Sequence, residues 1–538
     1  MQGGGHGCLS CGFSKELAVT VTSYGSPGEA GFIEVPIWGR GSILVRPQTI
    51  LIAAMALHFA AFSLIALLTQ PTLPLDVIEQ VSWARNPEWT YFKHPPLPAW
   101  ILAALMTLTG GEPWIAAIAG PAATTLALWI VWLLARRILD PMRALLSVLL
   151  LEGVLHFNVL SLEFNHNIVQ LPLWAFIAYA SHRAIRGNHI GDWLLLGFAA
   201  ALGMYGKYST ALLLVAIAAY TLYDKAARQR LFGPGPWIAI ATSALLCLPS
   251  AIHVYLDYGL YPLRFPMDRA KHAASFADHL LFPAGWLLAQ LWFAAAALIL
   301  AGLLFSGKDA KIAVPAGSVK AEDRRFILFL LAVPPLLTAA MQAFDGVRFK
   351  DMWGCPMLDL LGLALLAGAA ARPIAERGIG RFAVGWVLVF GIAAGALTAL
   401  NTVQPYFTHK GTRGQFPSQA ATAAIAKAWS AQTSGRPLKI VIGDNWMAGL
   451  LSTYHPDHPS ILINGEMWKS LWISKEKLSR DGAVLIWQPG GGPSPLLAEF
   501  PGAAEQPELV LPYVTQASVP PAHIGWAILP PQPQSGEK

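Results

Sequence analysis

Residues 49–69 read TILIAAMALHFAAFSLIALLT, and residues 70–100 continue QPTLPLDVIEQVSWARNPEWTYFKHPPLPAW. A helix needs roughly 20 apolar residues to cross a bilayer, and the first stretch supplies them. The second carries Asp76, Glu79, Arg85, Glu88, Lys93 and His94. Hydrocarbon accepts such groups only at high cost, and Pro95, Pro96 and Pro98 forbid a continuous helix. The junction is therefore a membrane exit followed by a loop rich in ionisable groups and tryptophan. The predicted architecture is an all-α polytopic membrane scaffold organised around this loop, 70–112.

Composition extends the reading to the whole chain. Of 538 residues, 55% are hydrophobic and 13% charged, with a mean hydropathy of +0.48. Soluble chains carry about a quarter charged residues, and the deficit here is spread over most of the length. A soluble protein with one anchor is excluded. The net charge of +6 is no nucleic-acid footprint, because the basic residues fall in short clusters between apolar runs, as in cytoplasmic loops. Cys8 and Cys11 form a CxxC near His6, but no second ligand pair closes a zinc site. Cys247 and Cys355 read as small core residues. Residues 1–47 are Gly-rich and lack the basic-then-apolar order of a signal peptide. They are expected to form a disordered tail, as is 531–538.

The spanning length gives eleven candidates, at about 49–69, 114–135, 142–160, 167–182, 192–206, 208–223, 236–254, 284–305, 325–343, 353–371 and 382–401. Residues 97–110 are apolar but short, and predict an interfacial helix. One set of alternate loops holds sixteen Lys and Arg, the other eight. The richer set is predicted to be cytoplasmic, which places 70–112 and everything after residue 402 outside. Between 403 and 530 the apolar runs shorten. LKIVIGD (438–444), SILIN (460–464) and AVLIW (483–487) alternate with the helical stretches 445–455 and 474–482, and 527–529 is a further strand. This pattern predicts a small C-terminal α/β domain.

The outward segments hold the residues with chemistry to offer. Asp76 and Glu79 stand one helical turn apart. The 161–167 loop reads SLEFNHN and supplies Glu163, His166 and Asn167. Lys207, Arg348 and Lys350 lie at outward helix ends or loops, where a lysine or arginine serves either as a snorkelling anchor or as a phosphate contact. Trp83, Trp89 and Tyr91 stand close enough to Asp76 to stack on a sugar face. Asp444, Asn445 and Trp446 follow a strand end but lack a phosphate-cradling glycine pattern, and read as structural.

LPLDVIEQ followed by YFKHPPLPAW resembles the first-loop signature of the integral-membrane glycosyltransferases of the protein O-mannosyltransferase and lipid A aminoarabinose transferase superfamily. Their bacterial members read L-x-x-DE-x-x-x-x-W, then GY-(F/Y)-x-HPPL-x-AW. Asp76 falls at the motif Asp, and Lys93 and His94 fall in its second half. Gly203–Ser209, with Lys207 and Tyr208, resembles the family's G-x-x-x-K-Y-(S/T) element, and Arg348–Trp353 resembles a late basic element. The likeness covers 49–371. Val77 stands where many members have a second acid, and Asn167 stands where others have Asp, so two oxygen ligands for a metal are missing. His94, Glu163 and His166 remain as the set that could hold a divalent cation; no other cofactor is implied.

The resemblance implies a GT-C-type fold and transfer of a sugar from a polyprenyl-phosphate donor. Asp76 would act as general base, with Glu79 as its nearest substitute. Lys93, His94, Lys207, Tyr208, Arg348 and Lys350 would bind substrate. The acceptor would be an envelope glycolipid such as lipid A, a polysaccharide or a protein, at the periplasmic face of a bacterial inner membrane. Two rival readings stand beside it: a lipid or oligosaccharide transporter or flippase, and a non-catalytic envelope assembly protein.

Overall fold

The computed structural model describes residues 33–37, 41–306, 311–490 and 494–532. A two-stranded hairpin, Ile33–Ile37 paired with Gly41–Val45, occupies part of the stretch expected to be disordered. The rest of that expectation, with the CxxC pair, lies outside the described residues, as does 533–538.

Helix α1, Pro47–Thr69, opens with proline in its first turn, where the missing N–H costs nothing. It is followed by α2 Leu75–Ala84, α3 Leu97–Thr107, α4 Ile115–Ile138, α5 Pro141–Leu149, α6 Gln170–Gly187, α7 Ile190–Gly206 and α8 Thr210–Tyr223. Four long helices come later: Gly235–Leu256, Asp278–Phe305, Ala321–Asp345 and Glu376–Thr402. Helix α3 is an 11-residue helix where an interfacial one was expected. Six helices among the described residues have the length and composition to cross a membrane, or eight if each of two bent pairs counts as one crossing. The chain is thus a multi-pass membrane protein, with fewer unbroken crossings than the eleven expected. The shortfall has local causes. Helix α5 stops at Leu149 and gives way to two 3-10 turns, Leu150–Gly153 and Leu155–Phe157, around the polar residues Glu152, His156 and Asn158. Helix α7 has 17 residues, which at 1.5 Å each reaches only about 25 Å against a hydrocarbon layer of about 30 Å.

Polar groups collect at two ends. At one end several basic residues are paired. Arg143 bonds Asp140 and the carbonyls of Pro315 and Arg372, each at 2.8 Å. Arg186 pairs with Asp323 and Glu322, and Arg325 with Asp224. At the other end meet the loops after α1, before α6, after α7 and around residues 344–352. Between the ends lies one buried polar cluster that the apolar reading of the spans passed over. His58 of α1 meets Glu152 Oε2 and Thr124 Oγ1 of α4, each at 3.0 Å.

The C-terminal segment forms a six-stranded sheet, with Ile440–Gly443 parallel to both Ser460–Ile463 and Ala483–Trp487 and with Ala522–Leu529 antiparallel to the last. Side chains alternate across a strand, and here both faces are apolar. Ile440, Ile442, Leu462 and Leu485 form a small core of their own. Val441, Ile461, Val484 and Ile486 join the main core. Helix Met447–Tyr454 packs between that second face and α2.

Candidate active site

Pro74 ends the extended exit from the membrane and α2 begins at Leu75, with Asp76 in its first turn. A carboxylate is stabilised there by the unpaired amides of the helix start. Asp76 is half-buried, and its Oδ2 accepts from Asn165 Nδ2 at 2.9 Å. Asn165 Oδ1 in turn accepts from the backbone N–H of Asn167 at 2.8 Å and of Ile168 at 3.2 Å, ordering the approach to α6. Asn167 Oδ1 accepts from Lys207 Nζ at 2.5 Å. Two neutral amides thus stand between the Asp76 carboxylate and the Lys207 ammonium. Neither charge neutralises the other, and both remain available to a ligand. Lys207 caps the end of α7, with its ammonium 5.3 Å from the Trp353 ring. Burial, reinforced by the charge of Lys350, brings that ammonium down to about 8.

Glu79 is buried, and its Oε1 receives Lys93 Nζ and Asn445 Nδ2, each at 2.5 Å. Burial raises its carboxyl above the ordinary range, opposed by Lys93 and assisted by the charge of Asp76. A carboxylate so occupied is a junction between segments, and the expectation that Glu79 could stand in for Asp76 is not met by this placement. Asn445, read from sequence as structural, is drawn into the site.

Trp83 and Tyr91 stack on each other at 4.4 Å and are 1% and 0% exposed. The Tyr91 hydroxyl donates to the carbonyls of Trp83 and Asn86. They brace the loop from inside and offer no face to a sugar. Two rings here do reach solvent: Trp89, 43% exposed and edge-on to Trp100, and Trp468, 41% exposed and edge-on to Phe92 and Tyr261.

His94 and His166 lie ring against ring at 4.2 Å, and one His166 nitrogen, Nε2, lies 2.9 Å from the carbonyl of Pro95. Burial holds both below the usual histidine range, His166 at about 3. Neutral and stacked, they join the 91–97 segment to the 161–167 loop. Glu163 does not converge with them, and no cluster of three metal-ligating side chains occurs among the described residues. Glu163 is open to water yet surrounded by protein; that desolvation and the Asp76 charge push its carboxyl up to about 7. Tyr208 holds Thr90 through its hydroxyl at 3.2 Å.

Arg348 and Lys350 are exposed, and neither has an acidic partner among the described residues. Arg348 sits directly across a two-stranded ladder from Lys271. Like charges facing each other in a sheet repel. Sequence reasoning missed Asn165, two positions from the Asn167 it had singled out; Asn445 was marked by its place after a strand end but read as structural.

Residues 93–253 match the family described as dolichyl-phosphate-mannose-protein mannosyltransferase, a span that takes in Lys93, His94, Glu163, His166, Asn167, Lys207 and Tyr208. The chain is 24% identical over 458 residues to the lipopolysaccharide core galacturonosyltransferase RgtB of Rhizobium johnstonii, covering 82% of this chain and 87% of that one. By these likenesses the chain is a glycosyltransferase. The glycosyltransferase is also 29% identical over 343 residues to the undecaprenyl phosphate-alpha-4-amino-4-deoxy-L-arabinose arabinosyl transferase of Pseudomonas aeruginosa, and spans 56% of that relative's length. The crystal structure of ArnT from Cupriavidus metallidurans in the apo state aligns with 90% of the glycosyltransferase and 99% of its own chain, at 14% identity and a TM-score of 0.47.

Proposed function

We propose that this glycosyltransferase moves a sugar from an undecaprenyl-phosphate donor to an envelope glycolipid at the periplasmic face of a bacterial inner membrane, with Asp76 as general base. The observation that carries the reading is the Asp76–Asn165–Asn167–Lys207 relay, which keeps a carboxylate and an ammonium close and both uncompensated. The acceptor hydroxyl attacks the anomeric carbon as Asp76 takes its proton. The bond from that carbon to the phosphate oxygen breaks, and the departing lipid phosphate gains negative charge. Lys207, with Arg348 and Lys350, meets that charge in surroundings of low dielectric, where fixed cations act strongly. The eleven helical stretches cross or enter the membrane, with 70–112 and the α/β domain 403–530 outside. The names of the relatives support a lipid-phosphate donor and a lipopolysaccharide acceptor. The transporter and assembly readings draw no support from them.

The test uses purified protein in nanodiscs, offered a panel of undecaprenyl-phosphate sugars with lipopolysaccharide as acceptor. Product is read by mass spectrometry beside envelope lipid profiles of cells with and without the gene. Transfer from one donor, with loss of the same sugar in the deletion strain, supports the reading. Unchanged envelope lipids together with no transfer from any donor overturn it.

A further inference from the structure

Helix α2, which carries Asp76, is held along its whole length by the C-terminal segment. Just before its start, Thr72 Oγ1 bonds the carbonyl of Phe416 at 2.7 Å, and Leu73 N–H donates to the Tyr454 hydroxyl at 2.8 Å. Just past its end, Asn86 Oδ1 accepts from Ser460 Oγ at 2.9 Å, and Arg85 Nη2 lies 3.1 Å from His458 Nδ1. At its middle, helix Met447–Tyr454 comes so close that a Cβ on Gly449 would stand 2.4 Å from Ile78 Cγ2. Beside that contact Asn445 reaches Glu79. Asn445 is itself aimed by its neighbour: Asp444 Oδ1 accepts from the N–H groups of Trp446 at 3.0 Å and Met447 at 2.6 Å, fixing the turn from strand Ile440–Gly443 into the helix.

We infer that Asn445 is a positioning residue for sugar transfer, and that the C-terminal sheet is a working part of the active site. It acts by gripping the catalytic helix through the Glu79 carboxylate shared with Lys93. The inference rests on the reading of Asp76 as the base. Asp76 and Glu79 are three residues apart on one helix, so they share a face and move together. A buried carboxylate needs its donors. Asn445 and Lys93 come from segments separated by 352 positions (445 − 93), and both satisfy the same oxygen. Removing the amide lets Glu79 and Lys93 re-pair without the sheet, and α2 loses the contact that fixes its rotation. The donor-binding cations sit on other elements and keep their places.

The experiment follows transfer by the full chain in nanodiscs, and amide hydrogen exchange over 75–84, in Asn445→Ala, Asn445→Asp and Glu79→Gln/Asn445→Asp. In Asn445→Ala, kcat is expected to fall about tenfold, the loss of one hydrogen bond to a charged group, with KM for the donor within about twofold. Protection of α2 should fall with it. Asn445→Asp sets two carboxylates against each other, and its rate should be lower still and recover as pH falls. The double variant restores one donor and one acceptor, and should recover rate and protection at neutral pH. Wild-type kcat and protection in both single variants overturn the inference, as does a loss that the double variant leaves unrepaired. If the wild-type protein transfers no sugar, the functional reading fails, and the exchange measurement alone still decides whether Asn445 grips α2.

Discussion

At the scale of single residues, the site works by keeping charges apart. Asp76 is held by an amide and Lys207 by another; a direct pair would have left neither free. Asp76→Asn keeps size and most hydrogen bonding but takes no proton at neutral pH, and turnover should fall by about a hundredfold or more. Donor binding, read by the thermal shift that undecaprenyl phosphate induces, should persist. Near-normal turnover would remove the assignment of the base. Glu163 gives a pH signature. With its carboxyl near 7, it is largely protonated and neutral on the acid side and an anion on the alkaline side. Rising pH therefore adds a negative charge beside Asp76, where the phosphate is gaining its own. The kcat of the wild type should decline as pH passes about 7, and Glu163→Gln, neutral throughout, should lose that decline. Identical pH profiles for the two proteins would exclude Glu163 from the site's electrostatics.

At the scale of elements, close approach and buried pairing decide what the helices can do. A Cβ on Gly120 of α4 would lie 2.0 Å from the carbonyl oxygen of Ser161, so α4 supports the 161–167 loop directly. Gly120→Ala should displace that loop, and with it Asn165, lowering transfer while the protein still inserts. Unaltered transfer would mean the loop is placed by something else. Deeper in, His58 and Glu152 tie α1 to the break after α5, with side chains 1% and 4% exposed. Removing His58 leaves Glu152 buried without its donor, and removing Glu152 leaves His58 with Thr124 alone; an unmet buried polar group costs about 1–3 kcal/mol. Replacing both with leucine should cost much less than either single change. Thermal denaturation of the two single variants and the double one, in detergent, measures this. A double variant as unstable as the sum of the singles would show that the two residues do not act as a pair.

At the scale of the whole molecule, Arg143, Arg186 and Arg325 at one end have acidic partners, while Arg348 and Lys350 at the other lack them among the described residues. Cytoplasmic loops collect Lys and Arg, and the sixteen-to-eight division of the sequence predicts that the site faces outward. Single cysteines at the exposed positions Thr107, Ser430 and Lys225, in a background without the native four, report this with an impermeant maleimide on intact spheroplasts. Thr107 and Ser430 should label and Lys225 should not. Labelling of Lys225 alone would invert the molecule, and labelling of only one of the first two would break the link between the exit loop and the C-terminal sheet.

What the sequence by itself determined were features set by length and period. An apolar run of spanning length, a proline-rich charged exit and short apolar runs alternating with helical stretches depend only on neighbours along the chain. They were readable as α1, the α2–α3 loop and the strands Ile440–Gly443, Ser460–Ile463 and Ala483–Trp487. The motif also marked Asp76, Lys207 and Arg348 as residue types suited to the chemistry. The tertiary structure alone decided what each of them touches. Asn165 reaches Asp76 across 89 positions, and Asn445 reaches Glu79 across 366. No periodicity spans such separations, because those contacts follow from packing helix Met447–Tyr454 against α2 and the 161–167 loop against α4. For the same reason Trp83 and Tyr91, which neighbourhood to Asp76 suggested as a sugar platform, turned inward onto each other. Aromatic area is stabilised by burial wherever the fold offers a matching surface, and here the nearest matching surface was the other ring.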